Sequence, residues 1–384
     1  MPKIARDYYY DRYTSATYSV PDLKVLNNHN IYNRKVKKKK KNFFKFFVSS
    51  FVLICFVFGI LGFSFKDFTK AVFYPNPYKS IRIDYYSFAL PTSNYLSNSW
   101  SFGRRSFRYQ ANKVKAQMVS ITENNELTGL ENEIKYLMTQ FPQIEPSVYV
   151  WNYDNGNFAD INASKVYSTA SIIKIPVLIE LFKSIEAGQI SLDEKIPLTE
   201  YFRSEGSGSL QFKAQNSEWT IDELANLMIT ESDNSATNMI MAKVGSMTDV
   251  NQAIRDWGLK NTEVHAWLPD LDGYNHSSAR ELAQMLYNID TNEEFLSENS
   301  RNHMLNYMGH VHNNRLIHAG LPDGSIFLHK TGDIGKMLGD AGIVITPNGS
   351  KYIVVILANR PHNSFAGKEF IVKASEIIYN YMVK

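Results

Sequence analysis

The sequence offers almost no thiol chemistry. Its 384 residues contain one cysteine, Cys55. That excludes an intrachain disulfide, a cysteine zinc cluster and a CxxC redox pair. Net charge is also scarce: 41 basic residues face 38 acidic ones, leaving +3. So even a balance gives no case for nucleic acid as a partner. No internal repeat is visible, which excludes a solenoid or a propeller. With 44% hydrophobic and 21% charged residues, the chain is not wholly disordered, collagen-like or polytopic. What remains is globular mass for two to three units, at roughly 150 residues per unit.

The charge that is present is unevenly spread. Arg34, Lys35, Lys37, Lys38, Lys39, Lys40, Lys41 and Lys45 crowd together, and without these eight the chain would carry −5. Directly after them, residues 46–65 hold no charge and are dominated by Phe, Val, Leu and Ile. A helix of that length spans about 30 Å, the thickness of a bilayer hydrocarbon core. A buried core helix would carry polar positions. A signal peptide would have a shorter apolar core and a small-residue cleavage site, which Phe63-Ser64-Phe65 does not provide. The sequence therefore predicts one uncleaved transmembrane helix over 46–65, seated in a lipid bilayer. The lysines orient it, since basic flanks stay cytoplasmic. Residues 1–45 are expected to be a disordered cytoplasmic tail. Residues 66–125 read as a spacer, and 126–384 as an extracytoplasmic or periplasmic domain held to the inner membrane.

Within that domain Leu130 to Phe141 reads as a helix. Ser147 to Tyr153 and Phe158 to Ala163 read as a hairpin around Asp154-Asn155-Gly156-Asn157. A mostly buried helix is expected from Ile172 to Ile185. Helical patterns continue at 221–231, 233–244, 249–256, 278–289 and 300–308. Strands follow at 326–331, 339–346 and 351–358, then a helix over 364–382. Short turns make the strand pairings antiparallel. The economical fold is α+β: a five-stranded antiparallel sheet built from both ends of the domain, flanked by helices, with an inserted all-helical subdomain.

Three short motifs stand at the seams. Ser171-Ile172-Ile173-Lys174 opens the helix after the hairpin. A serine hydroxyl is a poor nucleophile until a neighbour takes its proton, and positions i and i+3 share a helix face. The N-terminal end of a helix also suits a developing oxyanion. Ser232-Asp233-Asn234 lies between two helices, and Lys330-Thr331-Gly332 at the end of a strand. Singly, each could be an ordinary cap or turn. Jointly, in this order, they are specific.

On these motifs, residues 126–384 resemble the class A β-lactamase and penicillin-binding serine hydrolase family. The segments Tyr167 to Pro176, Gly206 to Gln211 and Ala319 to Pro322 fit as well. The resemblance implies a β-lactamase/transpeptidase-like fold and an acyl-serine mechanism on a β-lactam or a peptidoglycan stem peptide. It implies that Ser171 attacks, Lys174 takes or relays the proton, and Ser232 passes one to the leaving nitrogen. Asn234, Lys330, Thr331, Gly332 and Asp333 would bind substrate, with backbone N–H groups of Ser171 and Asp333 as the oxyanion hole. It implies no cofactor, no metal and a monomer.

The sequence departs from that family in one region. The family's deacylating glutamate lies in a Glu-Pro-x-Leu-Asn segment, and the segment here is Leu268-Pro269-Asp270-Leu271-Asp272. A leucine cannot act as a base. The family's arginine–aspartate pair at the loop neck falls on Ala266 and Asn275, and the loop is shortened. Asp272 is the possible displaced base, with Asp270 and Glu263 weaker candidates. His310 and His312 form an HxH without a third ligand, a weak metal signal. The expectation is a serine hydrolase with slow or altered deacylation. A penicillin-binding or D-Ala-D-Ala peptidase-like protein, and a non-catalytic peptidoglycan-binding module, stay open as alternatives.

Overall fold

Strand β1 (Glu145–Asn152) sends its side chains alternately into two separate cores. Val148 and Val150 enter one, Tyr149 and Trp151 the other. Burial on both sides, with a period of two, marks a central strand covered on each face. The structure is a computed structural model, and it describes residues 117–384. The expected tail, the 46–65 span and most of the spacer lie outside the described residues. Among the described residues, no helix is long and apolar enough to cross a membrane.

Helix α1 (Thr128–Gln140) precedes β1. The chain turns at Gly156, whose φ of +68° suits glycine, into β2 (Phe158–Ile161). The insert follows. It holds β3 (Val166–Ser168), α2 (Lys174–Glu186), β4 (Lys195–Pro197), β5 (Glu218–Thr220), α3 (Ile221–Thr230), α4 (Asn234–Lys243) and α5 (Met247–Asp256). It continues with β6 (His276–Ser278), α6 (Ala279–Thr291) and α7 (Glu298–Met308). The domain closes with β7 (Ile326–Ile334), β8 (Met337–Ile345), β9 (Lys351–Asn359) and α8 (Ala366–Met382). The main sheet has the order β2-β1-β9-β8-β7, every neighbour antiparallel. Sheet and helix order follow the expectation from sequence. Helices α1 and α8 pack on one face, while α2 and α6 share the other core with the rest of the insert.

Three details differ. The insert is not all helical, because β3 pairs with β6 and β4 with β5 as two short ribbons. Three-residue strands are too short to show alternation. The helix expected from Ile172 begins at Lys174, behind a 3₁₀ turn at Ala170–Ile173. And β7 runs past Lys330-Thr331-Gly332 to Ile334, which pairs with Met337 across a tight turn. The third motif therefore lies within a strand. The last residues assigned to the spacer also belong to the folded body. The Val119 N–H bonds Asn288 Oδ1 at 2.8 Å, the Thr122 carbonyl accepts from the Trp151 indole at 2.9 Å, and Glu123 accepts from the Tyr149 hydroxyl at 2.6 Å.

Candidate active site

Ser171 sits in the 3₁₀ turn between β3 and α2. The residue before it, Ala170, has φ +46°, an uncomfortable region for an alanine, so its neighbours must hold it there. Strand β7 does so from one side. A Cβ on Gly332 would lie 2.4 Å from the Thr169 carbonyl oxygen and 3.3 Å from the Ala170 Cβ. Only glycine lets the third motif touch the serine turn. From the other side, the Asn275 carbonyl accepts from both the Thr169 N–H (3.0 Å) and hydroxyl (3.1 Å).

One turn on, Lys174 is fully buried. Its Nζ has four oxygens in reach: Ser171 Oγ at 2.9 Å, Ser232 carbonyl at 2.6 Å, Ser232 Oγ at 3.0 Å and Asn234 Oδ1 at 3.1 Å. An ammonium has three protons, and a neutral amine two protons and a lone pair. Burial first, then the nearby charge of Lys330, pushes the Lys174 ammonium well below its ordinary range, with Asp233 opposing. A neutral Lys174 turns its lone pair to one of the two hydroxyls, and Ser171 Oγ is the one that opens a helix end.

Ser232 is held in the left-handed region at φ +58°. That conformation aims both its carbonyl and its hydroxyl at Lys174, for a backbone cost of about 1–3 kcal/mol. The strain is compensated next door. Asp233 caps α4 by accepting from the Ala236 N–H (2.8 Å) and also accepts from the Leu210 N–H (2.7 Å). Burial pushes its carboxyl up, and those two donors pull it back. Gly208 has no alternative here, since a Cβ would sit 2.1 Å from the Asp233 carboxylate. Asn234 holds Lys174 with its oxygen and gives its Nδ2 to the Glu205 carbonyl at 2.9 Å.

Lys330 reaches the group from β7. Its Nζ donates to Ser232 Oγ at 3.1 Å and to the Thr331 carbonyl at 3.0 Å. Burial pushes its ammonium down to about 7, despite Asp340. Ser232 Oγ thus lies between two buried amines. Thr331 is buried beside it, and the Asp333 carboxylate, exposed near the strand end, pairs with Arg360. The structure brings Ser171, Lys174, Ser232, Asn234 and Lys330 into one hydrogen-bonded group.

The loop over 266–275 meets the serine turn at Thr169 and helix α4 at Asn238. Asn238 follows Asn234 by four residues on α4, so both lie on one helix face. Its amide clamps Leu268: the Leu268 N–H donates to Asn238 Oδ1 at 3.0 Å, and Asn238 Nδ2 to the Leu268 carbonyl at 2.8 Å. The Leu268 side chain is buried in the larger core, and the Leu268–Pro269 bond is cis. Asp270 is also buried. Its carboxylate accepts from the N–H groups of Gly273 (3.0 Å), Tyr274 (3.0 Å) and Asn275 (2.7 Å), so it builds the turn. An amide closes the neck at Asn275. Asn275 Oδ1 accepts from the N–H groups of His265 (2.7 Å) and Ala266 (2.9 Å), and Nδ2 donates to the Ala266 carbonyl (3.0 Å). Asp272 stays apart: it is exposed and joins no part of the Lys174 group. Neither does Glu263, which pairs with His265 at 2.8 Å. His310 gives its Nδ1 to the Asn306 carbonyl at 2.7 Å. Sequence reasoning missed Asn238, whose only signal was its four-residue offset from Asn234.

Comparison with known proteins agrees with this geometry. The beta-lactamase enzyme family model matches residues 129–382. The beta-lactamase VEB-1 of Pseudomonas aeruginosa is 24% identical over 264 residues, covering 61% of this chain and 84% of its own. The solved structure of PBP-A is 37% identical, with a TM-score of 0.66, covering 68% of this chain and 98% of that one. A leucine-to-glutamate mutant of PBP-A, an acyl-enzyme complex with penicillin G, is 36% identical at the same TM-score and coverage. The chain is a member of the beta-lactamase enzyme family.

Proposed function

We propose that this protein is a membrane-anchored, extracytoplasmic serine hydrolase that opens β-lactam amide bonds through an acyl-serine and releases the product slowly. The observation that carries the proposal is the buried Lys174 amine, 2.9 Å from Ser171 Oγ, with burial and the nearby Lys330 charge both disfavouring its ammonium form. Ser171 Oγ attacks the carbonyl carbon while its proton passes to Lys174 Nζ. The N–H groups of Ser171, in the turn that opens α2, and of Asp333, near the end of β7, receive the oxyanion. The C–N bond then breaks, and the nitrogen takes a proton through Ser232. Lys330 and Thr331 attract the substrate carboxylate, and Asn234 orients Lys174. The remaining ester needs a base to activate water. Leu268 supplies none, and acid–base help of this kind contributes about 10²–10⁴-fold. The exposed Asp272 gains no support from its position.

A second reading, a penicillin-binding protein acting on cell-wall peptide, is favoured by the 37% identity to PBP-A, against 24% to VEB-1. The test is intact mass of the full-length protein in detergent after mixing with penicillin G, followed from seconds to hours. A lasting adduct on Ser171 is expected. Rapid loss of the adduct with ring-opened product would refute slow release, and no adduct at all would leave a wall-binding module. Membrane anchoring is tested separately, by carbonate extraction of membranes.

A further inference from the structure

A cluster of metal-capable side chains lies at the loop neck, outside the Ser171 group. Glu263, His265 and His276 place a carboxylate oxygen and two imidazole nitrogens all within 4.8 Å of one another. We propose that these three residues form a surface site for one zinc-class divalent ion, which fastens the two sides of the neck together.

The backbone supplies the juxtaposition. Glu263 and His276 form an isolated antiparallel bridge, each N–H donating to the other's carbonyl at 3.0 Å. The bridge joins the strand entering the loop to the one leaving it. Residue 265 follows 263 by two, so in extended chain both side chains project to one face. The imidazoles of His265 and His276 lie stacked, 5.2 Å between centroids and 24° between planes. His265 Nε2 already meets Glu263 Oε2 at 2.8 Å.

The second observation concerns the other nitrogen of His276. Its Nδ1 lies 3.0 Å from the Tyr274 carbonyl, which can only accept, so Nδ1 carries the proton and donates. That leaves Nε2 as the His276 nitrogen open to an ion. A backbone carbonyl holding the non-ligating nitrogen is the support metal-binding histidines ordinarily have. Two imidazoles and one carboxylate suit zinc, copper or nickel better than calcium or magnesium. Zinc bonds of about 2.0–2.2 Å put ligand atoms roughly 3.3–3.5 Å apart. The side chains of His265 and Glu263 are 46% and 39% exposed, so they can close that gap and admit an ion without opening the fold. A fourth position is left to water.

The test uses the full-length protein in detergent and zinc chloride, titrated against a chromophoric chelator. Binding to the unaltered protein is compared with that of His265→Ala, His276→Ala and Glu263→Gln, and with His310→Ala and His312→Ala as controls. One equivalent of zinc is expected to weaken about 10-fold or more in each of the first three and to be unchanged in the controls. Cobalt in place of zinc should give the visible bands of a four-coordinate nitrogen–oxygen site, absent from His276→Ala. Zinc should also slow amide exchange across residues 266–275 only where the site is intact. Identical binding in all variants, or none in the unaltered protein, overturns the proposal and leaves a stacked histidine pair beside a hydrogen-bonded glutamate.

Discussion

The Lys174 group and the loop over 266–275 share helix α4 and the serine turn as supports, yet they are built on opposite principles. Around Lys174 every partner is polar and aimed at one nitrogen: two hydroxyls, a carbonyl and an amide oxygen. In the loop residue 268 carries a buried aliphatic side chain, and the polar atoms are consumed in holding the backbone. Asn238 clamps residue 268, Asp270 gathers three N–H groups, and Asn275 closes the neck. The difference teaches that making the ester and breaking it are separable tasks. Under the proposed function, one region carries the groups for the first task, while the other keeps the loop's shape with a leucine where the second would need a base.

The comparison breaks most completely at the nucleophile. Ser171→Ala should abolish the penicillin adduct seen by intact mass, and Lys174→Ala should slow its formation by about 10²–10⁴-fold in stopped-flow acylation. If Lys174→Ala acylates at the unaltered rate, the amine is not the proton acceptor. On the loop side, Leu268→Glu should shorten the adduct lifetime by about 100-fold, read from the decay of the acylated mass. An unchanged lifetime would separate residue 268 from release altogether. A thermal melt of the same variant should show destabilisation, because the new carboxylate enters a buried position.

A third expectation concerns pH and sharpens the roles of the two lysines. Lys330 loses its proton as pH rises through about 7, and with it the attraction for a substrate carboxylate. Lys174 gains one as pH falls through its lowered range and then cannot accept the serine proton. Acylation kcat/KM should therefore fall on both sides of a maximum. The alkaline limb should disappear in Lys330→Arg, since a guanidinium stays charged throughout that range. The smallest effect is expected at the neck. Asn275→Ala should lower stability by about 1–3 kcal/mol in denaturant unfolding, because the N–H groups it caps at His265 and Ala266 lose their acceptor.

What the sequence made legible was local or carried by motif. The three-residue step from Ser171 to Lys174 survives the change from α-helix to 3₁₀ turn, because three residues complete a turn there. Ser232, Asn234 and Lys330 were found as motif members and arrive together. The sheet was legible because both cores leave a period-two record in β1. The loop was only half legible. Ala266 and Asn275 read as a lost ion pair, but an amide bonded to main chain does the same work, and no spacing rule reveals that. The cluster of Glu263, His265 and His276 was invisible for a related reason. It exists only because a backbone bridge joins positions on either side of the loop, whereas His310 and His312, two apart in sequence, attract attention without gathering a third ligand among the described residues.

The order of strands in the main sheet also sets a timetable. Tyr149 of β1 pairs with Val355 of β9, about 200 residues further along the chain. Until β9 arrives, the hairpin of β1 and β2 has no continuation and β7 and β8 cannot complete the sheet on which the serine turn leans. Pairings between such distant segments close late and slowly. During synthesis, the chain must therefore carry its serine, both lysines and a large apolar insert for most of its length before they are held together. The group around Lys174 gains its full support as a last event, when the segment after residue 350 docks.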